Sequence, residues 1–230
     1  MQNGAIVSFS GGQDSTTCLF WSLNNFDFVE TVGFNYGQKN AIELQCREKI
    51  LTNIRTSYPE LASRLGEDLL IDAQSFGKVS CSALTGSGEA IKADGSRGLP
   101  TSFVPARNLM FLTYAAARAY IREVHTIVTG VGQADFSGYP DCRRDTMDAL
   151  EKTLSLGMNW EVKIATPLMF KTKAQTWVLA EELGAGTLLT LSSEKLTPAT
   201  KVIMSTFILG ATAAASVRPV CCGKKVLKSI

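Results

Sequence analysis

The run Phe9-Ser10-Gly11-Gly12-Gln13-Asp14-Ser15-Thr16-Thr17 constrains this chain more than any other stretch. The apolar Ala5-Ile6-Val7 precedes it and the apolar Cys18-Leu19-Phe20-Trp21 follows. That order reads as a buried strand, a glycine turn and the start of a helix. Adjacent glycines open backbone conformations that a Cβ would forbid, and they expose amide N–H groups around a concave turn. Ser10, Ser15, Thr16 and Thr17 add hydroxyl donors. A helix opening at about Asp14 would bring its positive dipole end to the same spot. Together these features make a site for a phosphate chain. It is not a Walker A loop, since the Gly-Lys-[Ser/Thr] ending is absent. A plain turn is the alternative, but strand before, helix after and clustered hydroxyls favour a nucleotide site.

The rest of the chain repeats the strand–helix alternation. Strands are expected at Ala5–Phe9, Phe28–Phe34, Asp68–Asp72, Val124–Val131 and Val162–Thr166. Helices are expected at Ser15–Leu23, Lys39–Ser57, Arg107–Ile121, Asp145–Leu156 and Thr172–Leu183, the last amphipathic. The polar, Gly-rich Ser87–Thr101 reads as a loop or lid. The fold class is therefore α/β, a parallel sheet covered by helices on both faces. Ligands in such sheets sit beyond the carboxyl ends of the strands. The 230 residues suffice for one such domain. A net charge of +2 is too small to imply nucleic acid or an acidic membrane surface as partner. No apolar run reaches the ~20 residues of a bilayer span. The start Met1-Gln2-Asn3-Gly4 lacks a basic region, so no signal peptide is expected. The six cysteines form no disulfide framework, which fits a reducing cytoplasm.

Four strand-end loops carry candidate chemistry. After the second strand, Asn35 and Gln38 can hydrogen-bond a base edge and Tyr36 can stack, or the segment is an ordinary turn. Before the third long helix, Pro105 forces an extended entry and puts Arg107 in the first helical turn. The dipole disfavours a cation there, so a phosphate or substrate carboxylate would compensate it, unless Arg107 is a plain surface residue. After the fourth strand come Asp135, Phe136, Ser137, Tyr139, Asp141, Cys142 and Arg143. Asp135 can accept from a guanidine-like purine edge, while Phe136 and Tyr139 can stack on its ring. After the fifth strand, Lys173 at a helix start either meets a phosphate or is simply exposed. His125, the one histidine, has no partner histidine with which to bind a metal.

These motifs bear a specific resemblance. Ser10-Gly11-Gly12-Gln13-Asp14-Ser15 resembles the loop of the PP-loop ATP pyrophosphatases, which split ATP between its α and β phosphates. Several runs together resemble the 7-cyano-7-deazaguanine synthase (QueC) family. They are Phe9–Leu19, Tyr36-Gly37-Gln38, Ser82–Thr85, Phe103–Asn108, Asp135-Phe136-Ser137-Gly138-Tyr139-Pro140-Asp141-Cys142-Arg143 and Thr166–Met169. The resemblance covers Met1 to about Ala185 and implies an adenine nucleotide alpha-hydrolase-like fold. It implies conversion of 7-carboxy-7-deazaguanine and ammonia to the nitrile, with ATP and Mg²⁺, in queuosine biosynthesis. By it, the carboxylate is adenylated and captured by ammonia, and the amide is activated again and eliminated to the nitrile. Phe9, Ser10, Gly11, Gly12, Gln13, Asp14, Ser15, Thr16, Thr17, Cys18 and Leu19 would hold ATP, with Asp14 a candidate Mg²⁺ ligand. Tyr36, Gln38, Asp135, Phe136, Ser137, Tyr139 and Asp141 would hold the deazapurine, and Arg107 or Arg143 would meet its carboxylate. A homodimer is implied by resemblance alone. The rival readings are another PP-loop adenylating enzyme of the tRNA thiolation type, and a non-catalytic ATP-binding remnant.

Residues 186–230 depart from the family. Its ending carries four zinc-binding cysteines, one in Thr-x-Thr-Cys-Tyr and three in Cys-x-x-Cys-x-x-Cys. Here no cysteine lies between Cys142 and Cys221, and the vicinal Cys221-Cys222 cannot supply four tetrahedral ligands. No Zn²⁺ is expected on this tail, and its loss favours the remnant reading. The genetic code offers a cause. With suitable codons, Lys195–Val202 read one nucleotide earlier gives Thr-His-Thr-Cys-Tyr-Lys-Gly. Gly210–Arg218 likewise gives Gly-Asp-Gly-Cys-Gly-Glu-Cys-Pro, followed by Ala-Cys. Both family cysteine motifs thus return in one frame, which points to a frameshift between about Gly184 and Lys195.

Overall fold

A computed structural model describes residues 3–38, 42–80, 82, 84–85, 98–133 and 139–186. All of them belong to one compact unit, residues 1–192. The expected tail, the Lys39–Ala41 start of the second helix, Asp135, Phe136, Ser137 and most of the loop before Thr101 lie outside the described residues.

The described chain runs β1 (Gly4–Ser8), α1 (Gln13–Asn25), β2 (Phe28–Asn35), α2 (Ile42–Ser57), α3 (Pro59–Ala62), β3 (Leu65–Asp72) and α4 (Gln74–Val79). It continues through α5 (Arg107–Ile121), β4 (Thr126–Val128), a 3₁₀ turn at Pro140–Cys142, α6 (Arg144–Met158), β5 (Lys163–Ala165) and α7 (Lys173–Glu182). The five strands pair in the order β3-β2-β1-β4-β5, every pair parallel. The chain winds outward from β1 to β3, then returns across β1 to build the other side. The carboxyl ends of β1 and β4 therefore diverge into a crevice, where ligands of such sheets bind.

β1 sits at the centre and serves two cores. Ala5 and Val7 pack with Leu19, Phe20, Leu23 and Ile54 on one face. Ile6 packs with Leu112, Ala116, Ile127 and Met147 on the other. A fully buried Leu, Ile or Phe contributes about 1.5–3 kcal/mol, so this double burial fixes where β1 ends and its loop begins.

Several boundaries differ from expectation, each for a physical reason. β2 is buried on both faces from Val29 to Phe34, because a central parallel strand has no solvent side to impose an alternation. β3 starts earlier, at Leu65, and as an edge strand leaves Leu69 and Leu70 exposed. β4 and β5 are short and stop where β1 no longer pairs with β4. The short α4 escapes the sequence because six residues carry too little periodicity. α7 starts with a capping box, in which Thr172 accepts from the Gln175 amide and Gln175 answers to Thr172 N–H. It buries Thr176 and Ala180 rather than a full apolar stripe.

Candidate active site

The loop leaving β1 is tied together by its own hydroxyls. Gly11 adopts φ +88°, which strongly favours glycine, whereas Gly12 is extended at φ −78° and needs no such freedom. Ser10 N–H donates to Ser15 Oγ at 3.3 Å, and the two hydroxyls lie 3.1 Å apart. Gly12 N–H donates to Ser10 Oγ at 3.2 Å. Helix α1 opens at Gln13, two residues before the Ser15 start expected for the first helix. Its first-turn amides have no carbonyl a turn behind them within the helix.

The expected phosphate loop is narrower than the motif. Thr16 and Thr17 hydroxyls donate to the carbonyls of Gly12 and Gln13 at 2.8 and 3.0 Å, so they satisfy the helix instead of adding donors. Cys18 and Leu19 are wholly buried and form core, whereas Phe9, 1 % exposed, belongs both to the core and to the lining of the cavity described below. Burial, and then the charge of Asp14, pushes the Cys18 thiol upward in pKa, so it stays protonated. Of the loop's residues after Phe9, Ser10, Asp14 and Ser15 line the cavity described below, although the Ser15 hydroxyl also donates to the Gly12 carbonyl at 3.0 Å. Asp14 Oδ2 pairs with Lys173 Nζ at 2.6 Å, bringing the α7 start against the α1 start. Asp14 Oδ1 and Gln13 Nε2 are buried atoms without a hydrogen-bond partner among the described residues.

A cavity of about 340 Å³ opens beside this loop, within the range of small-molecule sites. The ends of β1, β2 and β4 supply its floor through Ser8, Phe34 and Thr129. Asp14, Ser15, Tyr36, Gln38, Arg107 and Tyr139 line it, so most of the sequence-selected groups converge. Arg107 sits in the first turn of α5 with its guanidinium 6.0 Å from the Tyr36 ring centroid. Phe34 and Phe111 stack at 4.0 Å and nearly parallel. Phe111 reads from the sequence as plain core. Its position one turn after Arg107 was the signal that both share a face.

Other selected residues are placed differently. Asn35 Oδ1 accepts from Gly37 N–H at 3.3 Å, and Gln38 bonds Tyr36 N–H and the Phe34 carbonyl. Both side chains hold their own turn, which corrects the expectation of a free base-reading pair. Asp141 is 6 % exposed and accepts from Asn108 N–H at 3.1 Å. It thus supplies the anion that the α5 start calls for, independently of any ligand. Arg143 caps α6 with an exposed side chain outside the cavity lining, whereas Arg144 bonds Asp148 and Thr166. Of the two arginines weighed for a carboxylate, Arg107 is the one in the cavity.

The comparisons with known proteins agree with this geometry. The model of the family "Queuosine biosynthesis protein QueC" matches residues 4–197. The chain belongs to the QueC family. A 7-cyano-7-deazaguanine synthase from Caulobacter vibrioides is 53 % identical over 194 residues, 84 % of this chain and 79 % of the relative. One from Halorhodospira halophila is 52 % identical over 193 residues, 84 % and 77 % of the two chains. Among solved structures, a 4-thiouridine synthetase in complex with RNA and ATP superposes with a TM-score of 0.51 at 18 % identity. That match covers 81 % of this chain and 42 % of the synthetase, and at this identity it speaks for the fold alone.

Proposed function

We propose that this QueC-family chain converts 7-carboxy-7-deazaguanine and ammonia to 7-cyano-7-deazaguanine, consuming ATP through adenylated intermediates. The observation that carries this reading is one cavity joining the Ser10–Ser15 loop, the Arg107 cation and the stacked Phe34–Phe111 wall. The loop's amides and hydroxyls suit the pyrophosphate that leaves when AMP is transferred, where negative charge develops. Arg107 suits the substrate carboxylate, and the aromatic wall with Tyr36 and Tyr139 suits a flat bicyclic ring. The orphaned Asp14 Oδ1 fits Mg²⁺, a hard cation that binds a carboxylate and phosphates together. Asp14 would hold the ion, which neutralises phosphate charge. Zn²⁺ does not fit: the family's four cysteines are missing, and the described residues hold no cluster of ligand types for a metal.

The substrate is a free small molecule in this reading, and a net charge of +2 gives no strong overall attraction for tRNA. Among the described residues no helix is long and apolar enough to cross a membrane. The tail is read as the product of a frameshift, on the cysteine motifs recovered in the alternative frame; the family match itself runs to residue 197. Independent reads of the coding DNA with an uninterrupted frame through Leu196–Ile230 would overturn a reading error. The functional test is to mix the chain with ATP, Mg²⁺, ammonium and 7-carboxy-7-deazaguanine and to seek AMP and nitrile by mass spectrometry. AMP and nitrile together support the reading. Nucleotide binding without AMP marks a remnant, and AMP release that depends on tRNA marks a thiolation enzyme.

A further inference from the structure

Arg47 lies in the middle of α2, on the face that also carries Ile50, Leu51 and Ile54, and it is 2 % exposed. A buried arginine needs partners for the water contacts it gives up, and here both terminal nitrogens find them while Nε finds none among the described residues. Its guanidinium reaches three strands. Nη1 donates to the carbonyl of Phe9, and Nη2 donates to Asp68 Oδ1 and, at 3.3 Å, to the Leu69 carbonyl. Thr31 Oγ1 donates to the same Asp68 oxygen at 2.5 Å, which fixes the carboxylate. The head stands 5.2 Å from the Phe9 ring centroid. It passes over Gly33 of β2, where a Cβ would overlap the guanidinium. Burial lowers the arginine's pKa, and the charge and hydrogen bond of Asp68, whose side chain is 27 % exposed at the edge strand, offset part of that cost.

Phe9 follows β1 and immediately precedes Ser10, so its carbonyl stands between the end of the strand and the phosphate loop. We infer that Arg47 is a positioning residue for that loop: anchored by Asp68 and Thr31, it holds the Phe9 peptide and thereby aims the amides from Ser10 onward. The Ser10–Ser15 hydroxyl pair closes the loop on itself, and the sheet holds Phe9 through its N–H, which donates to the Val32 carbonyl at 2.8 Å, while the Phe9 carbonyl is held by Arg47. Lysine cannot replace the function fully, since one ammonium lacks the planar fork that spans a carbonyl and a carboxylate at once. The inference rests on the nucleotide reading above and adds a residue that touches no ligand.

The test uses the full chain, with ATP affinity from calorimetry and amide hydrogen exchange of segments 9–16 and 107–121. Replacing the pair together, Arg47→Met with Asp68→Leu, leaves no buried charge behind, and such swaps are often tolerated. The expected result is at least a tenfold loss of ATP affinity, faster exchange in segment 9–16 and unchanged exchange in 107–121. Arg47→Lys is expected to lie between, with a loss of about threefold, and it decides the matter alone if the double variant does not fold. ATP affinity within twofold of the wild type, or exchange rising equally in both segments, overturns the inference. A wild-type chain that binds no ATP overturns the nucleotide site itself and this role with it.

Discussion

The two ends of the sheet hold similar ingredients in opposite states. At the amino end, Glu30 of β2 is 1 % exposed and faces two arginines from the last turns of α5. Arg118 Nε donates to Glu30 Oε2 at 2.8 Å and its Nη2 meets Glu67, while Arg122 Nη2 lies 2.8 Å from Glu30 Oε1, off the hydrogen-bonding angle. The Glu30 hydrogen bond, together with the charges of Glu30 and Glu67, raises the Arg118 pKa despite some desolvation. At the carboxyl end, Asp14 keeps one buried oxygen without a partner, beside an open cavity. Charge answered by charge builds the fold. Glu30 Oε1 also lacks a hydrogen bond but lies against the Arg122 cation, whereas Asp14 Oδ1 lies beside an open cavity, where a ligand is expected to supply its partner.

The contrast breaks most visibly at the closed end. Arg118→Met leaves Glu30 buried with Arg122 as its remaining cation. It should cost about 3 kcal/mol in urea unfolding while ATP affinity stays within twofold. An affinity loss that follows stability would erase the distinction between the ends. Asp14→Asn should act the other way. It removes the Lys173 pair, a half-exposed contact that contributes ~0–1 kcal/mol to folding. Calorimetry with and without Mg²⁺ should show about a tenfold loss, ~1.4 kcal/mol, confined to the Mg²⁺-dependent part of ATP binding. Thr172→Ala removes the α7 cap that presents Lys173, and should lower stability by about 1 kcal/mol in the same unfolding assay.

The smallest effect is a pH dependence. Cys18 has its pKa raised in the folded protein, so the native state holds its proton where the unfolded chain loses it. Its stabilising contribution is complete below the unfolded thiol pKa and falls as pH rises above it. With an unfolded pKa near 8.5, about 0.8 kcal/mol disappears by pH 9. Cys18→Ala should flatten the alkaline limb of the stability profile by that amount. A profile identical to that of the parent would show that the site is not closed to water.

The sequence disclosed the carboxyl end better than the amino end. The glycine loop, Asp14, Tyr36 and Arg107 each stand next to a strand end or a helix start, so local pattern predicts that they converge. Glu30 and Arg118 are separated by 88 positions and sit inside ordinary strand and helix patterns, with nothing local to join them. Asn35 and Gln38 misled because a turn's own amides compete with any ligand for their side chains, and short-range bonds win on entropy. Thr16 and Thr17 misled in the same way, through back-bonding to the helix. Arg47 was legible in one respect, as a charge on the apolar face of α2, but its target was set by strand order.

The central claim is that the turn after β1 grips the phosphates of ATP. Hydrogen exchange of the full chain, with and without Mg²⁺-ATP, tests it most directly. Protection is predicted at the amides of residues 10–15 and 129–132, with none at 118–124. Unchanged exchange at residues 10–15 under saturating nucleotide, or protection at the amino end of the sheet instead, would contradict it.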